Sequence, residues 1–285
     1  MIRLSLPGDE AALQLLWQVA FGDPPAVTDA FFSELYRPGD AVVWVEGAHI
    51  ASAIYLLDAG TLPHGAGNRK RSPFRVSYSY ALATLPDHRG RGLGALVTQA
   101  AIARSAELGF DCNLICPAEV GLFSYYTRLG YRAAFSIVEG EVFRPERDYC
   151  ADIFNIMLTN VSDYIRLRKS LLPDSATVYS ELFMQYVAQN CVASGGGLYR
   201  LELEGQVGCA AVMQRENQLF IAELLPAALA EAFAPPLLSR LDAETAIFRT
   251  TPSDRPLSPS LRCRPFVLAA GSLLAQEGYF PFVLD

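Results

Sequence analysis

The fold is decided by two consecutive stretches of sequence, Phe74-Arg75-Val76-Ser77-Tyr78-Ser79-Tyr80-Ala81-Leu82-Ala83-Thr84 and His88-Arg89-Gly90-Arg91-Gly92-Leu93-Gly94. Aromatic, aliphatic and small residues alternate in the first stretch, which predicts a strand over residues 74–84. Pro86 ends this strand because proline cannot donate to a ladder. Apolar residues recur at helical spacing after the second stretch, which predicts a helix that ends at Gly109.

Glycines at the start of a helix leave backbone N–H groups free to bind a ligand, with the positive end of the helix dipole behind them. Phosphate is the usual ligand of such a loop. The mononucleotide loop does not fit, because neither Lys70 nor Lys169 lies in a Gly-Lys-[Ser/Thr] setting. The dinucleotide fingerprint does not fit either, since residue 95 is alanine and the next predicted strand, residues 111–116, ends at Cys116 and Pro117 without the acidic residue that the fingerprint needs at that end.

The remaining pattern, Arg89-x-x-Gly92-x-Gly94, resembles the coenzyme A loop of the GNAT superfamily of N-acetyltransferases, [Gln/Arg]-x-x-Gly-x-[Gly/Ala]. A second motif, Tyr126-Thr127-Arg128-Leu129-Gly130-Tyr131, matches the family's Tyr-x-x-x-Gly-[Phe/Tyr] after the fifth strand. The matched elements cover residues 74–143. The alternative interpretation is a glycine-rich turn between two buried elements.

The resemblance implies an α/β (α+β) fold, and the second half of the chain repeats the order of elements found in the first. A hairpin at Glu204-Gly205 mirrors one at Glu46-Gly47, and Glu277-Gly278-Tyr279 follows a predicted helix over residues 267–276, as Leu129-Gly130-Tyr131 follows an earlier helix. We therefore expect two GNAT-like domains, residues 1–148 and 149–285. Each would be a mixed, mainly antiparallel sheet flanked by helices, with a V-shaped splay at the coenzyme site of the first.

The second half lacks the glycine loop. After its third strand it reads Glu223-Leu224-Leu225-Pro226-Ala227-Ala228, without glycine or arginine. We therefore expect one coenzyme site per chain, with the degenerate second domain forming one wall of the acceptor pocket, because pockets commonly form at domain junctions.

Acetyl-CoA is the co-substrate that the resemblance implies. The backbone N–H groups of Gly90, Arg91, Gly92, Leu93, Gly94 and Ala95 would hold its pyrophosphate, and Arg89 and Arg91 would supply charge. The resemblance also implies that the backbone of Leu82, Ala83 and Thr84 pairs with the pantetheine arm, with one N–H group facing the thioester carbonyl.

The register of the tyrosine motif makes Tyr126 the candidate general acid that the resemblance implies. A phenol with a pKa of about 10 stays protonated at neutral pH and can donate to a thiolate. The alternative for Tyr126 is ordinary packing in an aromatic-rich helix, in which its neighbour Tyr125 faces another side. The general base stays open between four side chains and a chain of water molecules. The four are Tyr78, Tyr80, Asp58 and Glu119. Cys112 and Cys116 are interpreted as strand packing, since no histidine lies near them in sequence.

Composition excludes several classes of function. A net charge of -7 argues against a nucleic-acid partner. The six cysteines form no CxxC pair and histidine occurs three times, so neither a metal site nor a disulfide framework is expected. The first residues lack a signal-peptide layout and no apolar run is long enough to cross a bilayer, so we expect a cytoplasmic protein without a membrane partner.

These features predict an acetyl-CoA-dependent N-acetyltransferase that modifies a primary amine of a small molecule or a protein by direct attack in a ternary complex. Two alternatives stay open. One is a GNAT-fold module that binds coenzyme A without turnover, and the other is an acyltransferase that uses another acyl-CoA. The sequence leaves the acceptor and the oligomeric state undecided.

Overall fold

A computed structural model of the chain describes residues 1–23, 25–63, 72–146, 153–172, 176–252, 257–271 and 279–282. In the first half the elements are β1 (Ile2–Leu4), α1 (Glu10–Phe21), α2 (Pro25–Ala30), a π-helical turn (Phe31–Leu35), β2 (Ala41–Glu46), β3 (His49–Leu62), β4 (Phe74–Thr84), a 3-10 turn (Pro86–His88), α3 (Leu93–Glu107), β5 (Cys112–Ile115), α4 (Val120–Arg128) and β6 (Arg132–Phe143).

In the second half they are β7 (Phe154–Leu158), α5 (Val161–Leu171), α6 (Glu181–Ala193), β8 (Gly197–Leu203), β9 (Gln206–Arg215), β10 (Gln218–Leu225), a 3-10 turn (Ala227–Leu229), α7 (Ala230–Arg240), β11 (Thr245–Thr250) and β12 (Leu261–Gly271). No helix in the described ranges combines the length and the hydropathy needed to span a membrane.

The strands form one 12-stranded sheet, in the order β1-β2-β3-β4-β5-β12-β6-β11-β10-β9-β8-β7. The expectation of a separate sheet in each half is therefore wrong. The order is symmetric about the β12–β6 pair, since β1 to β5 on one side correspond to β7 to β11 on the other. Each half places its last strand beside the fifth strand of the other half: β12 pairs with β5, and β6 pairs with β11.

This exchange has a physical reason. β5 and β11 would each be a sheet edge with unpaired N–H and C=O groups, and the exchanged strands cover both edges. The chain passes from one half to the other through residues 147–152, which lie outside the described residues. The boundary between residues 148 and 149 falls there and stays a prediction.

The helix predicted over residues 267–276 is also wrong for its described part. Residues 261–271 form strand β12, and residues 272–276 lie outside the described ranges. Phe266 through Ala270 are buried in succession between β5 and β6. A short apolar run buried on both faces has no period that separates a strand from a helix. The predicted correspondence between Tyr279 and Tyr131 is wrong as well, because Tyr279 follows strand β12 whereas Tyr131 precedes strand β6.

Helices cover both faces of the sheet. On one face α1 and α6 contribute Trp17 and Phe183 to a core that includes Tyr78 of β4. On the other face α3 and α4 contribute Val97 and Tyr126 to a smaller core. The middle of β4 therefore lies between two helical layers.

Candidate active site

Strand β4 separates from β5 halfway along its length. The parallel pairing of the two strands begins at Val76 with Cys112 and ends at Ser79 with Ile115. On its other edge β4 stays paired with β3 as far as Thr84, through a bulge at which Ala81 has a φ of 48°. No described strand pairs with residues 80–84 on the β5 side, so the two strands diverge as expected, while the binding of a coenzyme there stays a prediction. We call this opening between β4 and β5 the fork.

A buried polar network joins the two strands just below the fork. Asn113 of β5 accepts hydrogen bonds at Oδ1 from the hydroxyls of Ser79, at 2.9 Å, and of Tyr131. Its Nδ2 group donates to Ser77 Oγ at 2.9 Å, and Ser77 lies 2.6 Å from Ser105 of α3. Because these side chains are buried and bond one another, they hold β4 and β5 at a fixed spacing where the strands begin to diverge.

The glycine loop leads directly into α3. Gly90 and Gly92 have φ values of 75° and 77°, a left-handed conformation that favours glycine, and Gly92 precedes the first turn of the helix. The first N–H group to bond back is that of Leu96, which donates to the Gly92 carbonyl at 3.1 Å. The N–H groups of residues 90–95 donate to no atom of the described chain. They are unpaired donors at the positive end of the helix dipole.

Both loop arginines contact the protein itself. Arg89 Nε donates to the carbonyl of Thr84 at 3.1 Å, which ties the loop to the end of β4. Arg91 Nη2 lies 3.0 Å from Glu46 Oε2 at the end of β2, and His88 lies 3.6 Å from the same carboxylate oxygen. The hydrogen bond from Arg91 holds the pKa of Glu46 below its usual value. The described contacts of Arg91 with Glu46 use Nη2 alone, so the donors on Nε and Nη1 can contact a phosphate while this ion pair is kept.

A cavity of about 500 Å³ opens at the fork. Its described lining belongs to α1 and the residues after it, to the divergent end of β4, to the end of β5 and to α4. The lining residues are Trp17, Phe21, Asp23, Tyr78, Ser79, Tyr80, Ala81, Leu82, Ile115, Cys116, Ala118, Leu122 and Tyr126. Leu82 and Tyr126, which sequence motifs predicted as site residues, therefore meet in one cavity.

The two adjacent tyrosines of α4 point to different places. Tyr126 is buried and lines the cavity, and its hydroxyl makes no hydrogen bond to a described residue. Burial, together with the neighbouring Tyr125 and Cys116, raises the pKa of Tyr126 above its ordinary value. Tyr125 points to the loop instead, since its hydroxyl lies 3.2 Å from the place that a Cβ on Gly94 would occupy. The role of Tyr126 as an acid stays a prediction.

The other predicted site residues lie around these groups. Ala83 is buried and its carbonyl accepts from Ser52 Oγ at 2.8 Å, while Thr84 Oγ1 lies 2.9 Å from the same hydroxyl. Leu93 is buried at the start of α3. Residues 89–95 do not line the cavity; they lie beside it, where Gly94 approaches Leu82 and Thr84 to within 3.7 Å of its Cβ position.

Of the four side chains considered as the base, Tyr78 and Tyr80 line the cavity. Asp58 and Glu119 do not: Asp58 accepts the N–H of Gly60 at 2.9 Å, and Glu119 is exposed at the start of α4. The base stays unassigned.

Three cavity residues, two in α1 and one just after it, were not predicted from the sequence. Trp17, Phe21 and Asp23 line the side of the cavity that faces α1. Trp17 Nε1 donates to Asp23 Oδ2 at 2.7 Å. Trp17 lies on the apolar face of an ordinary amphipathic helix, and Asp23 is one of 30 acidic residues. No local sequence pattern therefore distinguished either residue as part of a site.

The two cysteines near the fork differ. Burial raises the pKa of the Cys112 thiol to about 12, in keeping with its role in strand packing. Cys116 packs too, and its Sγ donates to the carbonyl of Phe266 at 3.2 Å, but it also lines the cavity. Within the described ranges no group of three or more His, Cys, Asp or Glu side chains is placed to hold a metal ion.

Residues of the second half pack against aromatic side chains in and behind the cavity wall. Every described lining residue belongs to the first half, so the expectation that the second half forms a wall of the pocket is wrong for the part of the chain that the structure describes. Phe280 packs against Tyr78 with ring centroids 5.3 Å apart, and Tyr186 of α6 packs against Phe31 at 5.8 Å. These contacts position the aromatic side chains behind the lining.

In the second half, a buried charged side chain follows the point at which the corresponding strands stop pairing. The pairing of β10 with β11 ends at Ile221, and the fully buried Glu223 follows. Glu223 forms an ion pair with Arg168 of α5 at 2.9 Å and accepts a hydrogen bond from the hydroxyl of Tyr164 at 3.0 Å. The carboxylate of Glu223 is therefore bonded to other side chains of the protein.

Residues 2–134 match the family described as acetyltransferase (GNAT) domain. The whole chain is similar in structure to a GCN5-related N-acetyltransferase from Anabaena variabilis, with a TM-score of 0.68 and 11% identity over 94% of this chain and 72% of that one. It is similar to Eis1 from Mycobacterium abscessus, with a TM-score of 0.64 and 14% identity over 95% and 73% of the two chains. No curated protein sequence matches it.

A third similar structure is a GCN5-related N-acetyltransferase from Sphaerobacter thermophilus, with a TM-score of 0.52 and 14% identity over 96% of this chain and 97% of that chain. At such identities the structural likeness shows the fold alone, and it extends over both halves. The family match rests on sequence, and its range includes the fork, the glycine loop and the tyrosine motif up to Tyr131. Residues 2–134 of this chain are therefore an acetyltransferase domain of the GNAT family.

Proposed function

We propose that this chain is an acetyl-CoA-dependent N-acetyltransferase that transfers the acetyl group to a primary amine by direct attack in a ternary complex. The observation that carries the proposal is the row of unpaired N–H groups at residues 90–95, which lies at the start of α3 and beside the fork. Such a row binds a diphosphate through hydrogen bonds and through the helix dipole. The adjoining cavity offers space for the reacting groups.

The coenzyme spans these two features in the proposed complex. Its pyrophosphate binds the N–H groups of residues 90–95, and its pantetheine arm follows the free edge of β4 at Leu82, Ala83 and Thr84. This edge is available because β5 has already diverged at Ser79. The thioester then lies in the cavity, near the hydroxyl of Tyr126.

The acceptor nitrogen must be neutral to attack. Its lone pair forms the C–N bond to the thioester carbonyl carbon, and the carbonyl electron pair moves to oxygen. A backbone N–H group of β4 stabilises that oxyanion, which typically contributes about 3 kcal/mol. Collapse of the intermediate breaks the C–S bond, Tyr126 donates its proton to the leaving thiolate, and the proton released by nitrogen passes to water in the cavity.

Calorimetry and a thiol-release assay test the proposal together. We expect coenzyme A and acetyl-CoA to bind with similar affinity, because the loop contacts phosphate and not the acyl group. We expect thiol release from acetyl-CoA with at least one member of a panel of primary amines. Binding without release across the panel would support a coenzyme A-binding module instead, and absence of binding would refute the proposal.

The identity of the acyl group is tested in the same assay. Acetyl-CoA, propionyl-CoA and succinyl-CoA are compared with one amine at fixed concentration. We expect acetyl-CoA to give the highest kcat/KM. A higher kcat/KM for succinyl-CoA or propionyl-CoA would support acyl transfer from that donor instead of from acetyl-CoA.

A further inference from the structure

The cavity connects the two faces of the sheet. Trp17, Phe21 and Asp23 approach it from α1, which packs on one face, and Leu122 and Tyr126 approach it from α4, which packs on the other. The fork is the passage between them. A molecule that contacts both Asp23 and the thioester beside Tyr126 must therefore extend through the sheet.

The cavity carries one negative charge. Asp23 is the single acidic residue in its described lining, and no lysine or arginine lines it. The hydrogen bond from Trp17 Nε1 fixes Oδ2 of this carboxylate, and Oδ1 accepts from no described residue. Asp23 also follows the C-terminus of α1, where Gly22 caps the helix with a φ of 71°. The negative end of the helix dipole adds to the attraction for a cation.

Aromatic rings form the space beside Asp23. The rings of Tyr78 and Tyr80 stack with centroids 5.8 Å apart, and Trp17 meets Tyr80 edge-on at 5.4 Å. These surfaces suit methylene groups, and their faces also attract a cation. The chemistry of this side of the cavity therefore fits a cationic group attached to an apolar chain.

From this arrangement we infer, on the basis of the proposed function, that the acceptor is a diamine whose two nitrogens are separated by an apolar spacer. One nitrogen binds Asp23 and stays protonated. The other reaches the thioester through the fork as the neutral nucleophile. A single nitrogen cannot serve both purposes, because the carboxylate favours the protonated form whereas attack requires the free base.

The test compares three acceptors of similar length: cadaverine, pentylamine and aminocaproate. They carry at the distal end an ammonium, a methyl group and a carboxylate, respectively. We expect the KM of the wild-type protein for cadaverine to be about tenfold or more below that for pentylamine, since hydrogen bonds to charged groups are the stronger ones. Aminocaproate should be the poorest acceptor. This comparison needs no variant.

The variant Asp23→Asn removes the charge and keeps an oxygen that can accept from Trp17. We expect it to raise the KM for cadaverine to that for pentylamine, with the KM for acetyl-CoA unchanged. The control is Asp29→Asn, which makes the same change in net charge at an exposed residue of α2 outside the cavity lining. It should retain the preference for cadaverine.

Two results would overturn the inference while leaving the proposed function intact: equal KM values for cadaverine and pentylamine, or a cadaverine preference that persists in Asp23→Asn. If no amine is acetylated, the proposed function fails. Calorimetry of cadaverine against the protein saturated with coenzyme A then decides the diamine site separately. Binding that is lost in Asp23→Asn would support the site, and absence of binding to the wild type would refute it.

Discussion

Gly92 controls access to the N–H groups of the loop. Its φ of 77° strains any other residue, and no described atom lies within 4 Å of its Cβ position. A leucine there costs about 1–2 kcal/mol in the left-handed region and places a side chain beside the exposed donors. We expect Gly92→Leu to abolish coenzyme A binding in calorimetry and to retain the wild-type circular dichroism spectrum.

The matched control is Gly205→Leu. Gly205 has a φ of 79° and equally open surroundings, but it lies in the hairpin between β8 and β9. It should cost similar stability and leave coenzyme A affinity unchanged. Normal affinity in Gly92→Leu, or an equal loss in both variants, would argue against the loop as the diphosphate site.

Substitutions of the two neighbouring tyrosines of α4 distinguish proton donation from coenzyme binding. Because the hydroxyl of Tyr126 has no described partner, Tyr126→Phe removes a proton donor at little cost in stability. We expect its kcat to fall by about 10²-fold or more, as for loss of a general acid, with coenzyme A affinity within about twofold of wild type. Tyr125→Phe, beside Gly94, should instead change coenzyme affinity more than kcat. If Tyr126→Phe turns over normally, the acid is water or another residue.

At the scale of elements, the fork depends on the polar network below it. Asn113→Leu leaves the hydroxyls of Ser79 and Tyr131 buried without the acceptor that bonds them now, while Ser77 keeps its hydrogen bond to Ser105. Buried groups left unsatisfied cost about 1–3 kcal/mol each, so we expect the free energy of unfolding to fall by about 2 kcal/mol or more. Urea denaturation measures it. The control is Asn155→Leu on the exposed edge strand β7, for which we expect a change within about 0.5 kcal/mol.

The glycine loop, the strand before it and the helix after it were predicted correctly because their signals are local. Positive φ angles, the missing donor of proline and the apolar period each depend on residues a few positions apart. The identity of β12 was not predictable in this way. β12 is buried because β5 and β6 pair with it on either side, and the sequence of β12 itself contains no signal for either neighbour.

At the scale of the whole molecule, strand exchange makes the two halves depend on each other. β6 pairs with β11 and β12, both from the second half, and β5 loses β12 when the second half is removed. We expect residues 1–148 expressed alone to lack a cooperative unfolding transition. Co-expression with residues 149–285 should restore a soluble complex that binds coenzyme A. Cooperative unfolding of the fragment alone would show that the exchanged strand is dispensable.

Buried thiols predict a loss of stability at alkaline pH. Burial raises the pKa of Cys112 and of Cys191 from 9.0 to about 12. The stabilisation from these thiols is complete below the unfolded pKa and is lost as pH rises toward the folded pKa. We expect the free energy of unfolding in urea to fall between about pH 8 and about pH 11, and Cys191→Ala to reduce that slope. An unchanged free energy over this range would contradict the expectation.

The sequence alone determined the fold family of the first half, the place of the glycine loop and the choice of Tyr126 as a candidate acid, because these depend on residues close together along the chain. The tertiary structure alone decided that the halves share one sheet and that Asp23 and Trp17 enter the cavity. Strand partners and cavity walls join residues far apart in sequence, and the free energy that selects them comes from burying edges and side chains, which no local pattern records.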